Sequence, residues 1–239
     1  MHAGGHVLRS QAAKQENCCQ ADCGSLEGVH AVHPTRVGYD DGKVMPTLEA
    51  NHRVRAQLLR KVSASTDLSK TMRKAVRVLA EANIPSLVVG GYAVQENGYA
   101  RFTSDVDIVV PNVAEARGVL SINGFRENPG SSMTLTDRIS KVEVDLLPGG
   151  GSVGPGPLKL PMPVAVSTQP TIADLRTLVE IKLSSYLGSP ISRNQDLSDV
   201  IALIRANQMP EDFELRDAVS PKYREVWTGL QREERGSST

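Results

Sequence analysis

The sequence predicts an α/β (α+β) protein: a small mixed sheet flanked by helices, with further helices at its C-terminal end. Two observations carry that reading. DVDIVV and KVEVDLL alternate with the period of two that marks a half-buried strand. TMRKAVRVLAEANI and, beyond Pro170, TIADLRTLVEIKLSSYL instead repeat apolar residues every three or four positions, the period of an amphipathic helix. Hydrophobic residues make up 40% of the chain and aromatics only 4%, so the core that these elements build is mostly aliphatic.

Residues 1–46, with many Gly, Ala, His and Gln and no periodicity, read as a flexible extension. It holds Cys18, Cys19 and Cys23 with His2, His6, His30 and His33, but CCQADC and HAVH lack the paired two-residue spacing of zinc modules. The core elements carry no cysteine, so disulfides are not expected to hold them. Leu48, Val54, Leu58, Leu59 and Val62 mark a first helix. A second is capped by Ser65, Thr66 or Asp67, aligns Leu68, Met72, Ala75, Val76, Leu79 and Ala82, and stops at Asn83 before Pro85. SLVVGG reads as a buried strand running into a glycine turn, and YAVQENG as a short helix stopped by Gly98. After the DVDIVV strand, Asn112 caps VAEARGVLSI, and FREN, SSMTLTDR and KVEVDLL read as strands. PGGGSVGPGPLKLPMP is a loop, either a mobile lid or a solvated linker, and VAVS a last strand. Two amphipathic helices and a terminal one, PKYREVWTGLQREE, complete the chain. The organisation is an extension at 1–46, a core with its leading helices at 47–170 and a helical region at 171–239.

Lys+Arg and Asp+Glu number 27 each, which gives no global drive toward nucleic acid or a membrane surface. No apolar run approaches the roughly 20 residues that span a bilayer, and the first residues lack the apolar segment of a secretory signal. The expectation is a cytoplasmic protein without a membrane partner.

Asp105 and Asp107 point to the same side of their strand, while Val106 and Ile108 point to the other. Two carboxylates held this close repel unless a positive charge sits between them, and a hard divalent cation such as Mg²⁺ suits an all-oxygen set. A strand end that faces solvent would tolerate the same pair. Gly90 and Gly91 follow a buried strand and let backbone N–H groups approach a phosphate, although a tight turn also needs glycine. In KVEVDLL, Glu143 and Asp145 share a face and can supply a third acid. Asp145 is preferred because it lies deeper, between Val144 and Leu146.

Gly90-Gly91, thirteen intervening residues, then Asp105-Val106-Asp107 resembles the signature of the DNA polymerase beta-like nucleotidyltransferase superfamily. ARFTSDVD looks like the Arg-x-Thr/Ser-x-Asp-x-Asp form of its minimal, abortive-infection-toxin-like and antibiotic-modifying branches. LVEIKLSSY and RNQDLSDVIALI look like their C-terminal helices, with Lys182 and the Arg193, Asp196, Asp199 string. Tyr92 stands where the lincosamide-modifying version carries tryptophan, a departure that weakens that branch. The resemblance covers roughly residues 68–208. It implies a nucleotidyltransferase fold, an NTP co-substrate and two Mg²⁺ ions. By the same resemblance Asp105 and Asp107 bind both ions, Asp145 completes the second site and acts as base, and Gly90 and Gly91 hold the triphosphate. Arg101 with Thr103 or Ser104 would contact phosphate oxygens, or Arg101 would pair with Asp105. Lys182 would reach the triphosphate, or snorkel to the surface. Arg193, Asp196 and Asp199 fit a structural ion-pair network better than catalysis. Tyr92, Tyr99 and Phe102 are the nearest candidates to stack on or contact a base, although a place in the core is the preferred reading for each. The acceptor is a small molecule, a tRNA end or a protein; its identity and the oligomeric state stay open. A catalytically idle nucleotide-binding module and an unrelated α/β protein are the competing classes.

Overall fold

The computed structural model describes residues 66–236; the extension over 1–46 and the helix expected over 48–62 lie outside them. The first described helix, α1 (Asp67–Glu81), starts where the Thr66 hydroxyl accepts the Ser69 N–H at 3.4 Å, and ends before Asn83, which turns left-handed at φ +57°. The strands β1 (Leu87–Val88), β2 (Asp105–Val110), β3 (Phe125–Glu127), β4 (Thr134–Asp137) and β5 (Glu143–Pro148) form one sheet in the order β1-β2-β5-β4-β3. β2 and β5 are parallel and the other neighbours antiparallel, so the sheet is mixed. A short helix, α2 (Gly90–Glu96), links β1 to β2. The crossover from β2 begins with α3 (Val113–Ile122), whose first N–H groups, from Ala114 and Glu115, are accepted by the Asn112 carboxamide. The helices α4 (Leu175–Gly188), α5 (Asn194–Asn207) and α6 (Ser220–Gly236) follow, α4 capped by Asp174 through the Thr177 N–H at 2.7 Å.

The two sheet faces are unequal, and that inequality positions the site. On one face Val106, Ile108 and Val110 of β2 and Val144 and Leu146 of β5 are buried under Met72, Val76, Leu79, Ala116 and Leu120 of α1 and α3. On the other face Val109 and Leu147 join a second cluster built from α4, α5 and α6. That second cluster covers only one end of β2 and β5. At their opposite, N-terminal ends the same face carries Asp105, Asp107, Glu143 and Asp145.

Several expectations are corrected. The strand read in SLVVGG spans only Leu87–Val88, because Gly90 already opens α2; the free edge of β1 is instead met by Ile172, with Val88 N–H on Thr171 O at 2.8 Å and Ala173 N–H on Val88 O at 2.9 Å. VAVS forms no strand: Pro161, Pro163 and Pro170 remove backbone donors around it, and Val164 and Val166 are exposed. PGGGSVGPGPLKLPMP is not a solvated linker. Its Val153, Leu158 and Leu160 are buried in the α4–α6 cluster, and the Leu158 N–H donates to Ser184 Oγ at 2.9 Å. Tyr92 is buried and Tyr99 half-buried, but Phe102 is 86% exposed, because it precedes the first residue of β2 and lies past the end of both apolar clusters. No helix among the described residues is long and apolar enough to cross a membrane.

Leu146 is fully buried beneath α1 and α3. Leu146→Ala is expected to cost about 2–5 kcal/mol of stability, read as a lower urea midpoint at unchanged slope.

Candidate active site

The parallel register pairs Asp105 with Glu143 and Asp107 with Asp145. Neighbouring strands run about 4.8 Å apart, so the Asp107 and Asp145 carboxylates lie side by side, with Asp105 two residues along the same face. One oxygen from each of Asp105, Asp107 and Asp145 lies within 4.8 Å of the others, and all three side chains are half-buried. Glu143 stands apart: it is exposed and accepts the Asn128 side-chain N–H at 3.0 Å.

Two of the triad carboxylates accept a threonine hydroxyl, and a backbone N–H lies near the third. Thr103 Oγ1 donates to Asp105 Oδ1 at 2.8 Å and Thr134 Oγ1 of β4 donates to Asp145 Oδ1 at 2.6 Å, while the Gly91 N–H near Asp107 favours the ionised form of its carboxylate. The glycines matter here for their missing side chains. Gly90 sits at φ +63°, and a Cβ added there would fall 1.7 Å from Asp107 Oδ2; one added at Gly91 would fall 2.4 Å from Thr103 Oγ1. The turn into α2 thus lies directly against the carboxylates.

Asp107 is pushed up to about 6, first by burial, then by the charges of Asp105 and Asp145; Lys182 and the Gly91 N–H only partly oppose this. Three acids, all oxygen donors, with one of them reluctant to ionise unless further positive charge arrives, fit a hard divalent cation.

A charged layer backs the triad. Arg101 Nε lies 2.8 Å from Asp199 Oδ1, and Lys182 Nζ lies 2.7 Å from both Asp196 Oδ1 and Asp199 Oδ2. The two contacts to Asp199 lie off the hydrogen-bond axis and act through charge, whereas Lys182 donates a well-formed bond to Asp196. Lys182, Asp196 and Asp199 are all buried. This corrects two readings of the sequence: Lys182 does not snorkel, because two carboxylates on α5 hold it inside, and Arg101 pairs with Asp199 rather than Asp105. Arg193 is exposed, has no ion pair among the described residues and stays outside the network. Ser104 is also exposed and bonds none of the acids, so of the two hydroxyls before β2 only Thr103 reaches the triad. Sequence reasoning passed over Thr134. The signal was present in TLTD, whose alternation puts Thr134 and Thr136 on one face, but only the antiparallel β4–β5 register sets Thr134 opposite Asp145.

Two measurements check this geometry. Because the pKa of the Asp107 carboxyl is raised above its ordinary value of 3.8, its penalty is absent below about pH 4 and grows as pH rises through about 6. In chelator, Asp107→Asn is expected to stabilise the protein at pH 7.5 by on the order of 2–3 kcal/mol and to change little at pH 4, as read by urea unfolding. Gly90→Ala is expected to lower the melting temperature, since the left-handed backbone alone costs about 1–2 kcal/mol and the added carbon strikes Asp107.

No family model and no curated protein matches the sequence. Two solved structures are similar to the chain. One is the solution structure of the antibiotic-resistance factor ANT(2'')-Ia, at 13% identity and a TM-score of 0.41, covering 72% of this chain and 98% of that one. The other is the crystal structure of ANT(2'')-Ia in complex with adenylyl-2''-tobramycin, at 14% identity and a TM-score of 0.44, covering 68% and 99%.

Proposed function

We propose that this protein is a nucleotidyltransferase that moves a nucleoside monophosphate from an NTP to a hydroxyl acceptor, which is a small molecule, an RNA end or a protein. The observation that carries the reading is the convergence of Asp105, Asp107 and Asp145 to within 4.8 Å beside the Gly90–Gly91 turn. Asp105 and Asp107 would hold two Mg²⁺ ions, with Asp145 completing the second site. When bound, the ions would clamp the attacking and leaving oxygens and neutralise charge on the phosphates.

The remaining work falls to the chain. Asp145 accepts the proton of the acceptor hydroxyl; the hydroxyl oxygen forms a bond to the α-phosphorus as the bond to pyrophosphate breaks. Gly90 and Gly91 give the phosphate chain a close backbone approach. Arg101 and Lys182 supply positive charge behind the acids, and the phosphates compete for it with Asp196 and Asp199. Thr103 serves Asp105 first and a phosphate oxygen second, and Ser104 reaches phosphate only from the exposed side.

The test uses α-labelled NTPs with Mg²⁺ and follows bound and transferred label. Asp105→Asn, Asp107→Asn and Asp145→Asn are each expected to cut transfer by more than about 100-fold, beyond the 10–100-fold that loss of a supporting contact to a metal ligand costs. A wild-type protein that neither binds NTP with metal nor transfers label to itself, RNA or small molecules refutes the proposal. Binding without transfer identifies an idle nucleotide-binding module instead.

A further inference from the structure

We infer that Thr134, held by Ser131, is the positioning residue of Asp145: a directional hydroxyl chain fixes the rotamer of the acid and leaves its second oxygen free for a divalent cation. The inference rests on the nucleotidyltransferase reading and deepens it. Its basis is a hydrogen-bond count. Ser131 Oγ accepts the Met133 N–H at 3.2 Å and the Thr134 N–H at 2.9 Å, which occupies both of its lone pairs. Its one remaining capacity is donation, and Thr134 Oγ1 lies 3.0 Å away to receive it. Thr134 Oγ1, now an acceptor, turns its own hydrogen to Asp145 Oδ1 at 2.6 Å. The polarity of the chain, from Ser131 through Thr134 to Asp145, is thereby fixed by the backbone of the β3–β4 turn.

Such a chain has a chemical purpose at this position. The terminal torsion of an aspartate is broad, so an unsupported carboxylate presents neither oxygen reliably. Register alone puts Thr134 opposite Asp145 but does not choose which oxygen points to Asp107. A lysine or arginine could orient the acid, but its charge would displace the cation that the triad needs. A neutral hydroxyl orients without neutralising. Thr136, on the same face two residues along, donates to the Asn128 side chain at 2.6 Å rather than to a triad acid, so it serves as an internal control.

The experiment is Mn²⁺ binding to the full chain without NTP at pH 7.5, by electron paramagnetic resonance, with melting in chelator to confirm folding. Thr134→Val keeps the shape and strand preference but loses the donor, and Mn²⁺ affinity is expected to fall about 10-fold or more. Thr134→Ser restores a hydroxyl and is expected to stay close to wild type, as is Thr136→Val. Should Thr134→Val not fold, Ser131→Ala carries the same expectation at smaller size, because it frees the Thr134 hydrogen to rotate. Wild-type affinity in Thr134→Val, or in Ser131→Ala where that variant stands in, overturns the inference, and so does Thr134→Ser binding as weakly as Thr134→Val. A wild-type chain that binds no Mn²⁺ brings down the nucleotidyltransferase reading as well, whereas tight wild-type binding with an unaffected Thr134→Val removes only this step.

Discussion

The register between β2 and β5 is the constraint on which the rest depends. It places Asp107 beside Asp145, and nothing local to either strand could do so. What sets it is the opposite face, where Val106, Ile108, Val110, Val144 and Leu146 are fully buried against α1 and α3. A slip of one residue in either strand would turn that strand's acids toward the apolar cluster and its buried aliphatic side chains away from it. A slip of two would set Asp107 against Glu143 or Leu147 and separate it from Asp145. The apolar face therefore determines the geometry of the polar one, and stability and site geometry rest on one pairing.

That pairing also creates the electrostatic tension of the site. Two cations lie close behind the acids, but Arg101 and Lys182 are matched by Asp199 and Asp196, so the backing layer is internally balanced. The triad keeps its negative charge largely uncompensated, and the strain falls on the most confined member. Asp107 has Gly90 against one oxygen and an acid on either side, which is why burial and like charge outweigh the pull of Lys182. Positive charge brought to a cluster in that condition would relieve more repulsion than it would at three exposed aspartates.

Legibility in the sequence followed the range of the interactions involved. Asp105 and Asp107 were readable because a period of two is local, and the preference for Asp145 over Glu143 was readable from flanking apolar residues. The helices at 67–81, 113–122, 175–188, 194–207 and 220–236 were readable from caps and periodicity. Contacts between distant segments were not. Lys182 looked free to reach outward because its partners sit on another helix, and Arg101 looked like a neighbour of Asp105 because sequence shows only neighbours. The Gly/Pro-rich loop reads by composition as a lid or a solvated linker, yet three aliphatic residues within it are buried in the helical cluster. Phe102 misleads in the opposite sense, since an aromatic beside a strand is expected inside a core that here begins only at Val106, four residues later.

The backing layer also explains why the C-terminal helices matter to a site built on the sheet. Lys182 on α4 and Asp196 and Asp199 on α5 form a buried knot, and Asp199 extends it to Arg101, in the segment that leads into β2. Two residues after Arg101, Thr103 bonds Asp105. The Arg101 guanidinium and the Thr103 hydroxyl together fill the space that a side chain at Gly91 would occupy. Removing one partner from such a buried pair leaves the other charge stranded at a cost of about 3–5 kcal/mol, so the knot is far stiffer than a surface bridge. The entry into β2 is thus held from two sides: by the glycine turn of α2 and by a salt-bridged helix pair from the far end of the chain. The acids meet where the two supports do.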